Sequence, residues 1–184
     1  ETIGRLDLVP AARRVSGPGA SYLMAPFTHV SPDRPSRFSA GRYGVLYAGD
    51  RFEVALFETI HHHARFMAAT AQRPGWTSQF REIVLDISAR LHDLRPWPVA
   101  PGGPLDPGDY TASQALASRL RDSGSDGLVY PSVRAPGGFA AALFYPDLGR
   151  NPHQARHLDY HWNGERVDFY RDTTTREVFA IMPR

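Results

Sequence analysis

The chain contains no cysteine. That absence excludes disulfides, thiolate catalysis and cysteine-ligated zinc. It also lacks any apolar run of the length a membrane-spanning helix needs. There is no internal repeat and no low-complexity tract. A strong charge of either sign is missing too: the formal net charge is +2 over 184 residues. A nucleic-acid footprint requires clustered cations, whereas the arginines here are scattered, so direct nucleic-acid binding is not expected. Three further signatures are absent. No Gly-x-Ser-x-Gly elbow presents a hydrolase nucleophile. Gly137-Gly138 lacks the spacing and following helix of a dinucleotide fingerprint. His61-His62-His63 cannot converge on one ion, because successive helical residues point about 100° apart. No metal is expected. The opening residues Glu1-Thr2-Ile3-Gly4-Arg5 carry no apolar core of a secretory signal and no initiator methionine. The expectation is a numbering that begins inside a longer gene product, and a cytoplasmic protein.

What is present is an ordinary globular balance, 42% hydrophobic and 22% charged. The length suits one domain with a sizeable core, taken as residues 1–184. Sixteen prolines and sixteen glycines, spread through connections, imply many short elements. The first thirty residues read as irregular, with a strand-like Leu6-Asp7-Leu8-Val9 and an apolar patch at Tyr22-Leu23-Met24. Residues 45–48 read as a buried strand. Asp50 resembles an N-cap, and the segment to about Met67 reads as a helix that places Val54, Ala55 and Glu58 on one face. Residues 81–87 alternate as a strand. A proline-rich connection over 96–107 reads as a lid or a plain loop. Thr111-x-x-Gln114 resembles a capping box opening a short helix that Gly124 can end. Strands are expected at 128–130 and 139–145, and a last one at 178–182. Asn163-Gly164 predicts a tight two-residue hairpin turn between 158–162 and 165–170. His157 and His161 lie on that hairpin, where packing or solvent accounts for them. Many strands with two or three helices give an α+β fold with a mixed or antiparallel β core.

The chemistry-bearing residues are polar groups set within or beside apolar runs, where they are costly unless paired or used. Arg37 lies in Ser36-Arg37-Phe38-Ser39, with Arg42 as a second candidate nearby. Tyr47 lies in Val45-Leu46-Tyr47-Ala48, Glu58 in Leu56-Phe57-Glu58-Thr59, and Ser132 in Tyr130-Pro131-Ser132-Val133. An arginine, a tyrosine, a carboxylate and a hydroxyl suit an anionic ligand with an aromatic ring and a scissile sugar bond, of which NAD is the obvious candidate. The ordinary alternatives are a structural ion pair for Glu58, a solvated loop for Arg37, strand packing for Tyr47 and a turn for Ser132.

The runs RFSAGRYGVLYAGDRFEVALFE (37–58) and GLVYPSVRAPGGFAAALF (127–144) resemble the core of the RES domain family. That resemblance implies an ADP-ribosyltransferase-like fold and a toxin of a toxin–antitoxin pair that consumes NAD as its substrate. It places the family's arginine at Arg37, its tyrosine at Tyr47, its glutamate at Glu58 and its serine at Ser132. Catalysis would fall to Glu58, Arg37 and Tyr47, and substrate binding to Arg37, Tyr47, Ser132 and Arg42. It further implies an Xre-type antitoxin partner in a hetero-oligomer, and a target protein if ADP-ribose is transferred. The rival readings are a non-catalytic nucleotide-binding or interaction module and a nuclease toxin.

Overall fold

The computed structural model describes residues 5–182. Residues 1–4, on which most of the reading of the chain start rests, lie outside them. The elements in chain order are α1 (Ala20–Thr28), β1 (Leu46–Gly49), α2 (Phe52–Ala69), β2 (Trp76–Ile87), β3 (His92–Asp93) and α3 (Thr111–Asp122). Then come β4 (Gly127–Pro131), β5 (Phe139–Leu143), β6 (Gly149–Trp162), β7 (Val167–Asp172) and β8 (Val178–Ala180). The class is α+β, as the pattern of elements predicts. No described helix is long and apolar enough to cross a membrane. The chain divides into two compact units, residues 1–54 with 85–152 and residues 55–84 with 153–184.

The first unit is built on a four-stranded mixed sheet of order β1-β5-β4-β3. β1 and β4 flank β5 antiparallel, and β3 runs parallel to β4. Directly opposed residues share a face. The register therefore puts Leu46, Ala48, Ala141 and Leu143 on one face, and Tyr47, Ala142, Leu128, Ala140 and Tyr130 on the other. The first face closes over Leu23, Met24 and Phe27 of α1, together with Val9 and Leu148, to make the core. Gly44 lets the chain pass α1: a Cβ there would lie 2.2 Å from the Pro26 carbonyl oxygen and 2.3 Å from the Phe27 Cα. The second face has only alanine methyls at its centre, which leaves room above β5 for the turn described below.

The second unit contains most of α2 and an aromatic cluster. Phe80 of β2 stacks on Tyr160 of β6 at 4.3 Å, and the His63 ring meets Phe80 edge-on at 4.9 Å. Trp162 is buried and donates from Nε1 to the Gln72 carbonyl at 3.3 Å. The second sheet has the order β2-β6-β7-β8.

Several expectations are corrected. Residues 6–8 form a 3-10 turn rather than a strand, since Pro10 has no N–H to continue a ladder. The irregular first thirty residues contain α1, which carries Pro26 inside it. Asp50, just before α2, also ties that segment to β5, accepting from the Phe139 N–H (3.1 Å) and pairing with Arg51 (3.1 Å). The Asn163-Gly164 hairpin exists, but its loop is four residues long. Trp162 pairs with Val167, and the Asn163 side chain accepts from the Glu165 and Arg166 N–H groups. Gly164 keeps a positive φ of 103°, and the Asx arrangement shapes the rest of the loop. The first residue of the Thr111–Gln114 box is already helical, after an N-cap at Tyr110 that makes no side-chain cap.

Candidate functional site

Arg37 and Phe38 are the central residues of a tight turn closed by Ser36 N–H to Ser39 O (2.8 Å) and Ser39 N–H to Ser36 O (3.3 Å). Phe38 is fully buried on the alanine-lined face, edge-on to Tyr130 at 5.0 Å and stacked with Tyr47 at 6.4 Å. Two tyrosine hydroxyls hold its main chain. Tyr47 Oη accepts from the Phe38 N–H at 2.9 Å, and Tyr43 Oη donates to the Phe38 carbonyl at 2.8 Å. Tyr47 Oη also shares a 2.9 Å hydrogen bond with Ser36 Oγ. The Tyr47 ring reaches the surface while its hydroxyl is enclosed. Burial pushes that hydroxyl up to about 12, against which the bonds to Ser36 and Phe38 act. Tyr47 is therefore a neutral phenol that clamps the turn at neutral pH.

Phe38 anchors the turn, which holds Arg37 in a buried position, 7% exposed. Its Nη1 donates to the Asp106 carbonyl at 2.7 Å, and its guanidinium lies over the Tyr110 ring at 4.6 Å. Its Nη2 is buried without a hydrogen-bond partner among the described residues. A guanidinium cannot shed its charge, so a buried fork with one unmatched arm is a standing demand for an acceptor. Arg42 is exposed on the segment that follows.

The loop that supports Arg37 is the proline-rich connection. Leu105 is buried, and the Asp106 carboxylate accepts from the N–H groups of Gly102 (2.7 Å), Gly108 (2.8 Å) and Asp109 (3.1 Å). These bonds, Gly102 first, hold its carboxyl below the usual range. Gln114 donates from Nε2 to the Ser36 carbonyl at 2.9 Å, so α3 also grips the turn. Asp106, Tyr110 and this use of Gln114 are absent from the sequence reading. The run Asp106-Pro107-Gly108-Asp109 carries the Asx-turn signal that could have marked the loop as ordered.

Ser132 follows β4 and is buried. Its Oγ accepts from the N–H groups of Arg134 (3.3 Å) and Ala135 (3.1 Å), and its own N–H donates to the Gly138 carbonyl at 2.9 Å. This is a built turn. Gly138 admits Val54 and Arg51 closely, so the start of α2 is fixed against it. Tyr130, two residues before Ser132, is the residue that packs on Phe38. Arg37, Tyr47 and the strand leading to Ser132 thus share one face of the first sheet. Glu58 lies on α2 within the second unit, half-buried.

Among the described residues no group of three or more acidic or histidine side chains is placed to hold a metal. His63 belongs to the aromatic cluster, and His161 pairs through Nδ1 with Asp168 at 2.7 Å. Compared with known proteins, the chain matches the family model of the RES domain over residues 11–163. No curated protein gives a significant match.

Proposed function

The chain belongs to the RES domain family, and on that premise we propose that it cleaves the nicotinamide–ribose bond of NAD. The observation that carries the reading is the buried Arg37 fork with its unmatched Nη2. A pyrophosphate oxygen is an acceptor of the right charge for that arm. The partly exposed Tyr47 ring offers a surface for a flat heterocycle. Ser132 is the residue assigned to contact ribose or phosphate.

In the reaction the C1′–N bond breaks and its electron pair leaves with nicotinamide. Positive charge develops on the ribose, as in glycoside hydrolysis. Glu58 is the carboxylate assigned to stabilise that charge. Water as acceptor gives ADP-ribose, inorganic phosphate gives the phosphorolysis product, and a protein side chain gives ADP-ribosylation. An enzyme that consumes NAD in a cytoplasm requires restraint. The proposal therefore includes the toxin role and an Xre-type antitoxin that covers the site.

The test is incubation of the purified chain with NAD, with and without phosphate and cell extract, followed by mass spectrometry of the products. Glu58→Gln should lower nicotinamide release about 100-fold or more while the circular dichroism spectrum is unchanged. Wild-type turnover in that variant would remove Glu58 from the mechanism, and intact NAD with the wild-type chain would remove the activity.

A further inference from the structure

Beyond the four family positions, we infer that Asp106 is a positioning residue that sets the Arg37 fork for its anionic ligand. The inference rests on the reading of Arg37 as the anion-binding group. Asp106 acts on both sides of its own backbone. Its carboxylate gathers three N–H groups, those of Gly102, Gly108 and Asp109, at 2.7–3.1 Å. Its carbonyl accepts from Arg37 Nη1 at 2.7 Å. The first set of bonds fixes the loop, and the fixed loop fixes the carbonyl.

Occupying Nη1 has a directional consequence. The guanidinium is planar, so fixing one arm sets the direction of the other. The Tyr110 ring beneath the guanidinium, 4.6 Å from Cζ, restrains it further. Nη2 is left in a set direction with no acceptor among the described residues. An arginine held in this manner loses little side-chain entropy when the ligand arrives. The residue responsible is on a loop far from Arg37 in sequence. Its side chain does not bond Arg37; only its main chain does. Asp106→Ala removes the loop bonds and the charge near Arg37 while keeping the carbonyl, and Asp106→Asn, which also lacks the charge but keeps Oδ1, separates positioning from charge.

The experiment measures ADP-ribose affinity by calorimetry for wild type, Asp106→Ala, Asp106→Asn, Arg37→Ala and the Asp106→Ala/Arg37→Ala double variant. Asp106→Ala should weaken ADP-ribose about tenfold, the scale of one hydrogen bond to a charged group. Asp106→Asn keeps the Oδ1 acceptor for Gly108 and Asp109 and should stay within about threefold of wild type. In the Arg37→Ala background the Asp106→Ala change should cost no further affinity, because the two act as one unit. An equal loss in both backgrounds, or no loss in either, overturns the inference. In the same variants, the Arg37 Nη hydrogens, identified by their absence in Arg37→Ala, should exchange with solvent several-fold faster in Asp106→Ala. Unchanged exchange overturns the inference. That second readout needs no ligand. If the wild-type chain fails to bind ADP-ribose, the NAD reading falls, and the placement of Arg37 by Asp106 is still decided.

Discussion

Among the buried nitrogens without a hydrogen-bond partner in the described residues, one from each unit makes a comparison: Arg37 Nη2 and His63 Nε2. They look alike as unmatched groups, yet they have opposite meanings. Arg37 is held by a turn, a ring and a carbonyl, and a guanidinium cannot discard its proton. His63 lies among Phe66, Phe80 and Tyr160, and burial lowers its pKa. Imidazole can discard its proton and become one more ring in an aromatic cluster. An unmatched buried nitrogen is therefore evidence of a ligand only where the group cannot neutralise itself. Arg121 is intermediate. Its unmatched atom is Nε, on the stem of the fork, and its guanidinium lies against Tyr43 and Tyr145.

The sharpest break of this comparison is at Arg37. Arg37→Ala should weaken ADP-ribose about 100-fold, since it deletes the charged donor arm assigned to the ligand. It should not lower the melting temperature of the ligand-free protein by the amount a buried, satisfied arginine would. The unmatched arm is already a cost in that state. Arg42→Ala, at an exposed position, should change affinity by less than about twofold. Calorimetry and thermal melts of both variants decide it. A large loss of fold stability in Arg37→Ala with ADP-ribose affinity intact would make Arg37 a structural residue like any other.

A second effect, smaller, falls on the clamp. Tyr47→Phe keeps the ring and removes the oxygen that accepts from the Phe38 N–H and pairs with Ser36 Oγ. Leaving that buried N–H unmatched should cost about 1–3 kcal/mol in denaturant unfolding. Nicotinamide release should fall with it, through a higher KM, because the turn that aims Arg37 loosens. A variant as stable as wild type would show that the turn holds itself.

For His63 the expected effect lies in the pH dependence. Its folded-state pKa is below the ordinary 6.5, so the unfolded chain binds the proton more readily. Stability from this group is fully present above about 6.5 and is lost as the pH falls through the lowered folded value. His63→Phe keeps an aromatic ring and should flatten this part of the acid slope in melting temperature between about pH 7 and 5, with turnover of NAD unchanged. Loss of turnover in His63→Phe would give the histidine nitrogen a function and defeat the contrast with Arg37.

The sequence reading and the structure agree where local pattern and tertiary context favour the same element. β1, α2, β4, β5 and the β6–β7 hairpin all lie where alternation, helical spacing or a turn dipeptide puts them. The disagreements have a common cause. Pro26 disguises α1, which is kept helical because Leu23, Met24 and Phe27 are needed over the sheet. Asp106 reads as one more loop acid, because nothing in a single sequence reveals that its carbonyl reaches Arg37 across 69 positions. The identities of Arg37 and Tyr47 are legible as a resemblance. That Tyr47 acts through its hydroxyl on the Phe38 main chain, rather than by packing alone, is a tertiary fact.

Gln114 supplies the smallest effect and the cleanest discrimination. As the last residue of a capping box, it would serve equally well as glutamate, because either side chain can accept from an N–H at the helix start. In the structure it does the reverse: its Nε2 donates, at 2.9 Å to the Ser36 carbonyl and at 3.5 Å to the Ser39 carbonyl. Gln114→Ala should therefore cost about 1 kcal/mol and weaken ADP-ribose only slightly. Gln114→Glu should be worse than alanine, because an ionised carboxylate would face two carbonyl oxygens with no donor to offer. Unfolding curves near neutral pH for the two variants rank them directly. If glutamate proves as stable as glutamine, the side chain caps α3 and the latch on the Arg37 turn is not what holds it. If glutamate ranks below alanine, helix α3 is part of the frame that presents Arg37, and the Arg37 fork is kept in place from three directions: Tyr47 at the turn, Asp106 at the guanidinium and Gln114 at the turn's own carbonyls.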